Sequence, residues 1–489
     1  MKLGILFAVS AIVATNHCLL AAMAPETASR IELRYAGYDT PDGSAWRYMV
    51  VVSESAAADP AWRAVADALA AKYSKPPFES SVAVANPTNA ARVLTPKEPW
   101  QPSPRYVAFV MKPEEAGRET VFRLHATMKS LDDDPFYDAV WGIVTGPTAE
   151  AAMRLATAAG VHPRTALTTT GIDFRPFDDA TTISDAYAPG STREEYRRPD
   201  RPVAIVEKRG GEAETTRIVR GGTTAEFVAA WDALDPELLV TSAHASQRNL
   251  EMPFSTGSIV PRGGALCSMP RARLAAPKRD KIWIAAGNCL IGDYKDGESM
   301  AAAIIGYGRV VQFMGYVKET WFGEIGWETL AQFAENRASV GEAWYFAGQN
   351  LERKLGLMKV DEGRRNMKYE GRIWDRDGTV LWGDPALDAS LEAGRLRQPA
   401  KLTGFKTRGG VALTFEALED LDAKEDKVEE VHVVHPFGII LPRRPMPYEI
   451  VGKTDLDVFA ADDFALVTSW PAMKKGEKIQ VRLRLPGVR

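Results

Sequence analysis

The sequence predicts an α/β protein: a parallel sheet with helices on its faces, in two subdomains, followed by a small all-β domain. Three observations predict it. From about residue 46 to about residue 390, brief apolar runs alternate with stripes of apolar residues at helical spacing. The runs are apolar throughout rather than every second residue, as strands buried on both faces of a parallel sheet are. From about residue 400 helix signals fade, and short strand runs follow one another between Pro and Gly, as in a small β-sandwich.

Each element has its own signal. Trp46–Val52 is a run of β-branched and aromatic residues, hence a strand. Asp59-Pro60 supplies an N-cap and a first-turn proline for a helix whose core stripe is Trp62, Val65, Ala66 and Leu69. Phe78–Ala85, Arg105–Met111 and Asp138–Val144 are further strands, with a helix near Glu119–Ser130 and another capped by Thr148. Residues 172–201 are polar and hold Pro176, Pro189 and Pro199, so they are expected to form a loop or linker. Thr216–Arg220 returns to strand character. Thr223-Thr-Ala-Glu226 spells a capping box for a helix with Phe227, Trp231 and Leu234 on one face. Helices are expected at Glu298–Ile305, about Glu328–Asn336 and about Gly341–Leu355, and a strand at Arg309–Gly315. In the last domain Lys478–Leu485 alternates strictly.

The charge and the first residues bound the function. Of 489 residues, 45% are apolar and 25% charged, an ordinary globular balance with a formal charge of −4. A basic footprint for nucleic acid is missing. Met1-Lys2, the apolar stretch Leu3–Ala14 and Ala22-Met23-Ala24 read as a secretory leader. It is too short and too weakly flanked for a stable membrane span. Export to the periplasm or the exterior is therefore expected. Cys18 follows Thr15-Asn16-His17, a poor context for a lipid anchor. The expected division is leader 1–24, N-terminal α/β subdomain 25–165, catalytic subdomain 166–395 and β domain 396–489.

Two apolar runs carry the chemistry. Glu237-Leu-Leu-Val-Thr-Ser-Ala-His244 ends on an imidazole, and Lys281-Ile-Trp-Ile-Ala-Ala-Gly-Asn-Cys289 on a thiol. In open α/β sheets ligands sit beyond the carboxyl ends of strands. The two residues are 45 apart (244 to 289), room for one crossover and a loop between neighbouring strands. Together they spell a Cys–His dyad, in which the imidazole activates the thiol and later protonates the leaving amine. The backbone N–H groups of Cys289 and Ala245 are the candidate oxyanion donors. Gly287 lets the chain turn at the strand end. The bland alternatives are a satisfied core histidine, a buried structural thiol, and a Cys267–Cys289 disulfide, since two cysteines remain once the leader is removed.

Other candidates are weaker. His432 and His435 lie three apart on one strand run, hence on opposite faces. Asp132-Asp-Asp134 reads as a solvated turn, with a calcium loop as the alternative. No metal-type Cys/His spacing and no Gly-rich phosphate loop occur, so no cofactor is expected.

An apolar block ending in His followed by one ending in Cys resembles the caspase-like cysteine peptidases. More closely, the chain resembles the gingipain family over roughly residues 45–485. The resemblance takes in Asp132-Asp-Asp-Pro135, Gly142-Ile-Val-Thr-Gly-Pro-Thr-Ala-Glu150, both dyad runs, the loop Glu319-Thr-Trp321-Phe-Gly-Glu324 and Leu381-Trp-Gly-Asp-Pro-Ala-Leu387. It implies a caspase/gingipain-like parallel-sheet sandwich followed by an immunoglobulin-like domain. It further implies a secreted endopeptidase acting on protein or peptide, with His244 as general base, Cys289 as nucleophile and Trp321 lining the substrate pocket. Glu319 and Glu324 are candidates for meeting a basic substrate side chain. Where the family carries Gly after the histidine this chain has Ala245, and where it carries a small residue before the cysteine this chain has Asn288. An inactive, peptidase-derived binding or scaffold protein is the alternative reading.

Overall fold

The computed structural model describes residues 31–32, 46–75, 78–95, 104–187, 200, 202–252, 257–269, 272–320, 322–335, 338–358, 366–391, 400–407, 410–426, 436–441 and 447–484. The expected leader, with Cys18, and the pair His432 and His435 lie outside the described residues.

A two-residue strand, β1 (Ile31–Glu32), comes first and pairs far away in sequence. The next four strands are β2 (Trp46–Val52), β3 (Phe78–Val84), β4 (Tyr106–Val110) and β5 (Val140–Val144). They are parallel to one another, in the order β3-β2-β4-β5. Crossover helices make this possible. The first is α1 (Pro60–Lys72), capped by the Asp59 carboxylate, which accepts from the Ala61 N–H; it buries Trp62, Val65, Ala66 and Leu69, the stripe read from its spacing. Next come α2 (Arg118–Met128) and α3 (Ala149–Thr157), the latter capped by Thr148.

The second half of the sheet starts with β6 (Thr165–Thr168) and β7 (Asp179–Tyr187), the latter within the stretch 172–201 expected to be loop or linker. Its polar spelling hid it. Ala180 and Ile183 are fully buried, and the Thr182 hydroxyl shares a 2.6 Å hydrogen bond with that of Thr168 on the neighbouring strand. Threonine suits a strand as well as valine does once its hydroxyl has a partner. Then follow β8 (Pro202–Lys208) and β9 (Thr215–Arg220), antiparallel hairpin strands at the sheet edge. The helix α4 (Thr223–Leu234) buries Phe227, Trp231 and Leu234 as expected, but its N-cap is Gly222 in the left-handed region (φ 69°) with no side-chain cap. Thr223 and Thr224 are buried instead of capping.

Next is β10 (Leu238–Thr241). The chain then makes a separate antiparallel sheet of β11 (Ala245–Ser246), β12 (Asn249–Glu251), β13 (Ser258–Arg262), β14 (Ala265–Met269) and β15 (Ala272–Arg273). Gly263 and Gly264, both at positive φ (54° and 72°), close the β13–β14 hairpin. The crossover from β10 to β16 (Lys281–Ala285) is thus a small sheet rather than a helix. After β16 come α5 (Met300–Gly306), β17 (Val310–Tyr316), α6 (Glu324–Glu335), α7 (Val340–Leu357), α8 (Met367–Asp377) and β18 (Thr379–Gly383).

The twelve-stranded order is β3-β2-β4-β5-β18-β17-β16-β10-β6-β7-β8-β9. β18 runs parallel to β5 and antiparallel to β17. The two parallel halves therefore point in opposite directions and present their carboxyl ends at opposite edges. Trp344, Tyr345 and Phe346 of α7 are consecutive and all buried, so this helix is covered all round. Trp344 meets Trp141 of β5, with centroids 4.9 Å apart, and Tyr345 meets Phe464 of the C-terminal region at 6.1 Å.

That region is antiparallel throughout. β1 pairs with β19 (Ala400–Thr407), which joins β20 (Gly410–Ala417). A second, three-stranded sheet contains β21 (Phe437–Ile440). The strands β22 (Glu449–Val451), β23 (Asp457–Ala460), β24 (Phe464–Ser469) and β25 (Lys478–Arg484) complete both sheets. Strand alternation decides what each face meets. Ala465 and Val467 join a separate C-terminal core with Phe415 and Phe437, while Phe464 and Leu466 join the main core. Buried ion pairs hold the same seam: Arg105 to Asp463 at 2.7 Å, and Arg353 to Asp426. Among the described residues no helix is long and apolar enough to cross a membrane.

Candidate active site

β10 and β16 are adjacent and parallel, in a register that pairs Thr241 with Ala285. The chain leaves both strands at the same edge. His244 lies three residues beyond this matched pair and Cys289 four. Asn288 joins the two exits. It is fully buried, its Nδ2 donates to the Ala243 carbonyl at 2.7 Å, and its Oδ1 accepts from Thr241 Oγ1 at 2.6 Å. Trp283 Nε1 donates to the same Thr241 hydroxyl at 2.8 Å, and the Ala286 N–H to the Thr241 carbonyl at 2.8 Å. The residue before the cysteine thus holds the residue before the histidine. Its side chain lies beneath the site.

Three further hydrogen bonds tie the loops together on the solvent side. Gln247 Nε2 donates to Asp293 at 3.0 Å, and Arg248 grips Asp296 with both guanidinium nitrogens. From the other flank, Thr169 Oγ1 accepts from the Ser242 N–H at 2.8 Å.

The His244 side chain is exposed. Its carbonyl accepts from the Glu251 N–H at 2.9 Å, while Ala245 pairs with Leu250. That combination makes Ala245–Leu250 a non-hydrogen-bonded pair of the ladder, so the Ala245 N–H points away from β12, on the open edge of this small sheet.

Cys289 is half-buried, and both it and Cys267 are free thiols, so the disulfide is not formed. Burial pushes the Cys289 thiol above its ordinary value; the Thr320 backbone N–H, directed at the sulfur, pulls it back, and the carboxylates of Glu319 and Asp375 push it up further. The next residue, Leu290, sits at φ 60°, a left-handed conformation that costs a non-glycine residue about 1–2 kcal/mol. Its N–H donates to the Lys318 carbonyl at 3.2 Å, which fixes the cysteine segment against the chain that follows β17. Strain of this kind collects where the surroundings hold a side chain in place for function.

The chain after β17 runs beside the cysteine segment, through the Lys318 carbonyl. Its Glu319 is exposed and close enough for its charge to act on the sulfur. Trp321 lies outside the described residues. Glu324 is a correction to its expected role: its carboxylate is buried, bonded to Arg372 Nε at 2.9 Å and to Lys354 Nζ at 3.3 Å. Two internal cations already occupy it, so it does not line a substrate pocket. Gly323 and Gly326 let this segment rest on the β16 exit that leads to Cys289, since a Cβ at either would come within 2.8 Å and 2.5 Å of the Ala286 carbonyl oxygen.

Sequence reasoning missed Asp375, whose buried carboxylate accepts from Thr320 Oγ1 at 2.6 Å and from the N–H groups of Phe322 and Glu324 at 3.0 and 3.1 Å. No local spelling marks it, because all three partners are more than fifty residues away. Elsewhere, Asp132 and Asp134 gather with Asp462 of the C-terminal region, their oxygens within 4.8 Å of one another. Asp132 and Asp134 also accept the N–H groups of Asp134 and Phe136, which is how such a turn closes without an ion.

No family model matches the chain, and no curated protein or solved structure gives a significant match to it.

Proposed function

We propose that this chain is an exported cysteine endopeptidase of gingipain-like type, on a caspase-like sheet with an immunoglobulin-like C-terminal domain. Cys289 is the nucleophile and His244 the general base. The observation that carries the reading is the Asn288 bond to the Ala243 carbonyl, which ties the thiol and imidazole segments together beyond two adjacent parallel strands.

The chemistry follows from the charges around the sulfur. A thiol whose pKa is pushed up is protonated at neutral pH, so a resting thiolate–imidazolium pair is not the starting state. His244 takes the proton as sulfur attacks the peptide carbonyl. The carbonyl oxygen becomes an oxyanion, for which the N–H groups of Ala245 and Cys289 are the donors. The C–N bond then breaks, the imidazolium gives its proton to the amine, and water hydrolyses the thioester to release the acid and the free thiol.

The raised thiol also favours a second reading, a peptide-binding protein that has lost catalysis. A mixed-peptide cleavage screen on the wild type beside Cys289→Ala separates the two. Cleavage that disappears in Cys289→Ala supports the peptidase. Peptide binding without cleavage in either protein supports the second reading and overturns the first.

A further inference from the structure

We infer that Arg118, Asp293 and Gln247 form a joint that sets the histidine ribbon against the cysteine loop, with Asp293 as the positioning residue of the site. For its consequence in catalysis this rests on the peptidase reading; the joining of the two segments does not.

Each reacting residue is carried by a segment that is fixed within itself. On one side, the Glu251 N–H donates to the His244 carbonyl at 2.9 Å, and Ala245 and Ser246 pair with Leu250 and Asn249. His244 thus opens a tight hairpin whose tip is Gln247-Arg248. On the other side, the four residues after Cys289 close a turn, in which the Asp293 N–H donates to the Leu290 carbonyl at 3.0 Å. That turn is seated on the main sheet. The Gly292 N–H donates to the Tyr316 carbonyl at 2.8 Å, and Trp382 Nε1 to the Gly292 carbonyl at 3.0 Å. A Cβ at Gly292 would stand 2.8 Å from the backbone of Gly315, so the seat is close. With both segments this rigid, a few contacts between them decide how imidazole and thiol are placed.

Asn288 makes one such contact from beneath. Asp293 makes another. It is buried, and its Oδ2 accepts from Gln247 Nε2, at the hairpin tip, at 3.0 Å and from Arg118 Nη2, in the first turn of α2, at 3.3 Å. A buried carboxylate is stable only beside a cation, which an amide is not. Arg118 is that cation, and it comes from the N-terminal half of the sheet. The tip is held again by α5, whose first N–H, that of Met300, donates to the Gln247 carbonyl at 2.7 Å. Backbone and side chain of Gln247 are therefore both engaged by the chain that follows Cys289. Arg248 and Asp296 lie on the exposed side of the same seam, where an ion pair adds little. A displacement of about 1 Å between reacting groups costs on the order of a hundredfold in rate. A joint of this kind therefore acts on turnover rather than on peptide binding.

Gln247 and Asp293 permit an isosteric exchange. Gln247→Glu sets two carboxylates against each other and breaks the joint. Adding Asp293→Asn restores a hydrogen bond with donor and acceptor reversed, and keeps one negative charge beside Arg118. Peptide cleavage and hydrogen exchange of the segment 244–252 are measured in the full chain for the wild type, Gln247→Glu and the double variant. In Gln247→Glu kcat is expected to fall about tenfold with KM changed less than about twofold. The segment is expected to exchange about tenfold faster. In the double variant both return to within about threefold of the wild type. Gln247→Ala introduces no charge and is expected to lose kcat in the same sense, should Gln247→Glu fail to fold. A double variant as impaired as Gln247→Glu overturns the inference, as does a Gln247→Ala protein that turns over like the wild type. A merely structural role would lower the melting temperature of Gln247→Glu and leave kcat per folded molecule unchanged, which overturns it too. Faster exchange that the double variant reverses, with no Cys289-dependent cleavage in any protein, keeps the joint and removes the peptidase. Cleavage that needs Cys289, at one rate in all the proteins, keeps the peptidase and removes the positioning role.

Discussion

Single residues decide whether two strand exits make a site. His244 and Cys289 were visible in the sequence because each follows an apolar run, and such runs mark strand ends in α/β sheets. Asn288 was visible only as a departure from a family pattern, and its use was not. In the structure it is a buried amide with its donor and its acceptor both engaged, so no pocket function is left to it. Asn288→Ala removes both bonds and leaves the Ala243 carbonyl and the Thr241 hydroxyl short of a partner. A cost of about 1–3 kcal/mol follows from desolvated polar groups of this kind. The expected outcome is a lower urea midpoint together with loss of Cys289-dependent cleavage. A variant of wild-type stability would mean that the amide does not hold the two exits together. Glu324 teaches the opposite lesson. A glutamate on an aromatic loop spells a pocket, but only the fold reveals that Arg372 and Lys354 are already beside it.

Elements were legible where burial is continuous and illegible where partners are remote. The stripe Trp62, Val65, Ala66 and Leu69 named the buried face of α1 directly. The polar strand β7 spells a loop because its threonines are satisfied by Thr168 and by Arg209, neighbours that only the sheet supplies. The start of α4 spells a capping box that the fold does not use, for a related reason: Thr223 is buried and the N-cap is Gly222. The approach of α6 to the end of β16 is also invisible in the sequence, though it depends on one glycine. A Cβ at Gly326 would stand 2.5 Å from the Ala286 carbonyl oxygen and 2.7 Å from its carbon, all backbone. Backbone cannot yield as a side-chain tip does, so the helix has to lift. Gly326→Ala is expected to destabilise the protein by about 1–3 kcal/mol, the usual cost of overpacking, despite the better helix propensity of alanine. Thermal unfolding measures the first effect. Slower cleavage at saturating peptide, with the loop displaced from Gly287 and Cys289, measures the second. Unchanged stability would show that α6 shifts freely and does not fix the site.

At the scale of the whole molecule, two buried groups bend the dependence of stability on pH in opposite senses. His125 lies in the main core, with Nδ1 2.9 Å from the Tyr137 hydroxyl and Nε2 2.7 Å from the Thr379 carbonyl. Burial pulls its pKa down to about 4. The unfolded chain binds that proton more readily, so the stability due to a neutral His125 is complete above about pH 6.5 and is lost as pH falls toward about 4. Glu342 behaves in the reverse sense. Burial pushes it up to about 8, against hydrogen bonds from Tyr106 and Ser339. Its stability is complete below about pH 4.5, where the unfolded chain is also protonated, and is lost as pH rises toward about 8. Between about pH 4.5 and 6.5 the two slopes oppose each other, and outside that window one acts alone. A plateau of thermal stability across it, with a fall on each side, is the expected curve. Glu342→Gln keeps an acceptor for the Tyr106 hydroxyl and removes the ionisable group. It is expected to abolish the fall between about pH 6.5 and 8 and, with the opposing slope gone, to extend the acid limb up to about pH 6.5. Melting temperatures measured from pH 4 to pH 9 on both proteins check this. An alkaline fall that survives in Glu342→Gln would assign it to another group and leave Glu342 ionised in the fold.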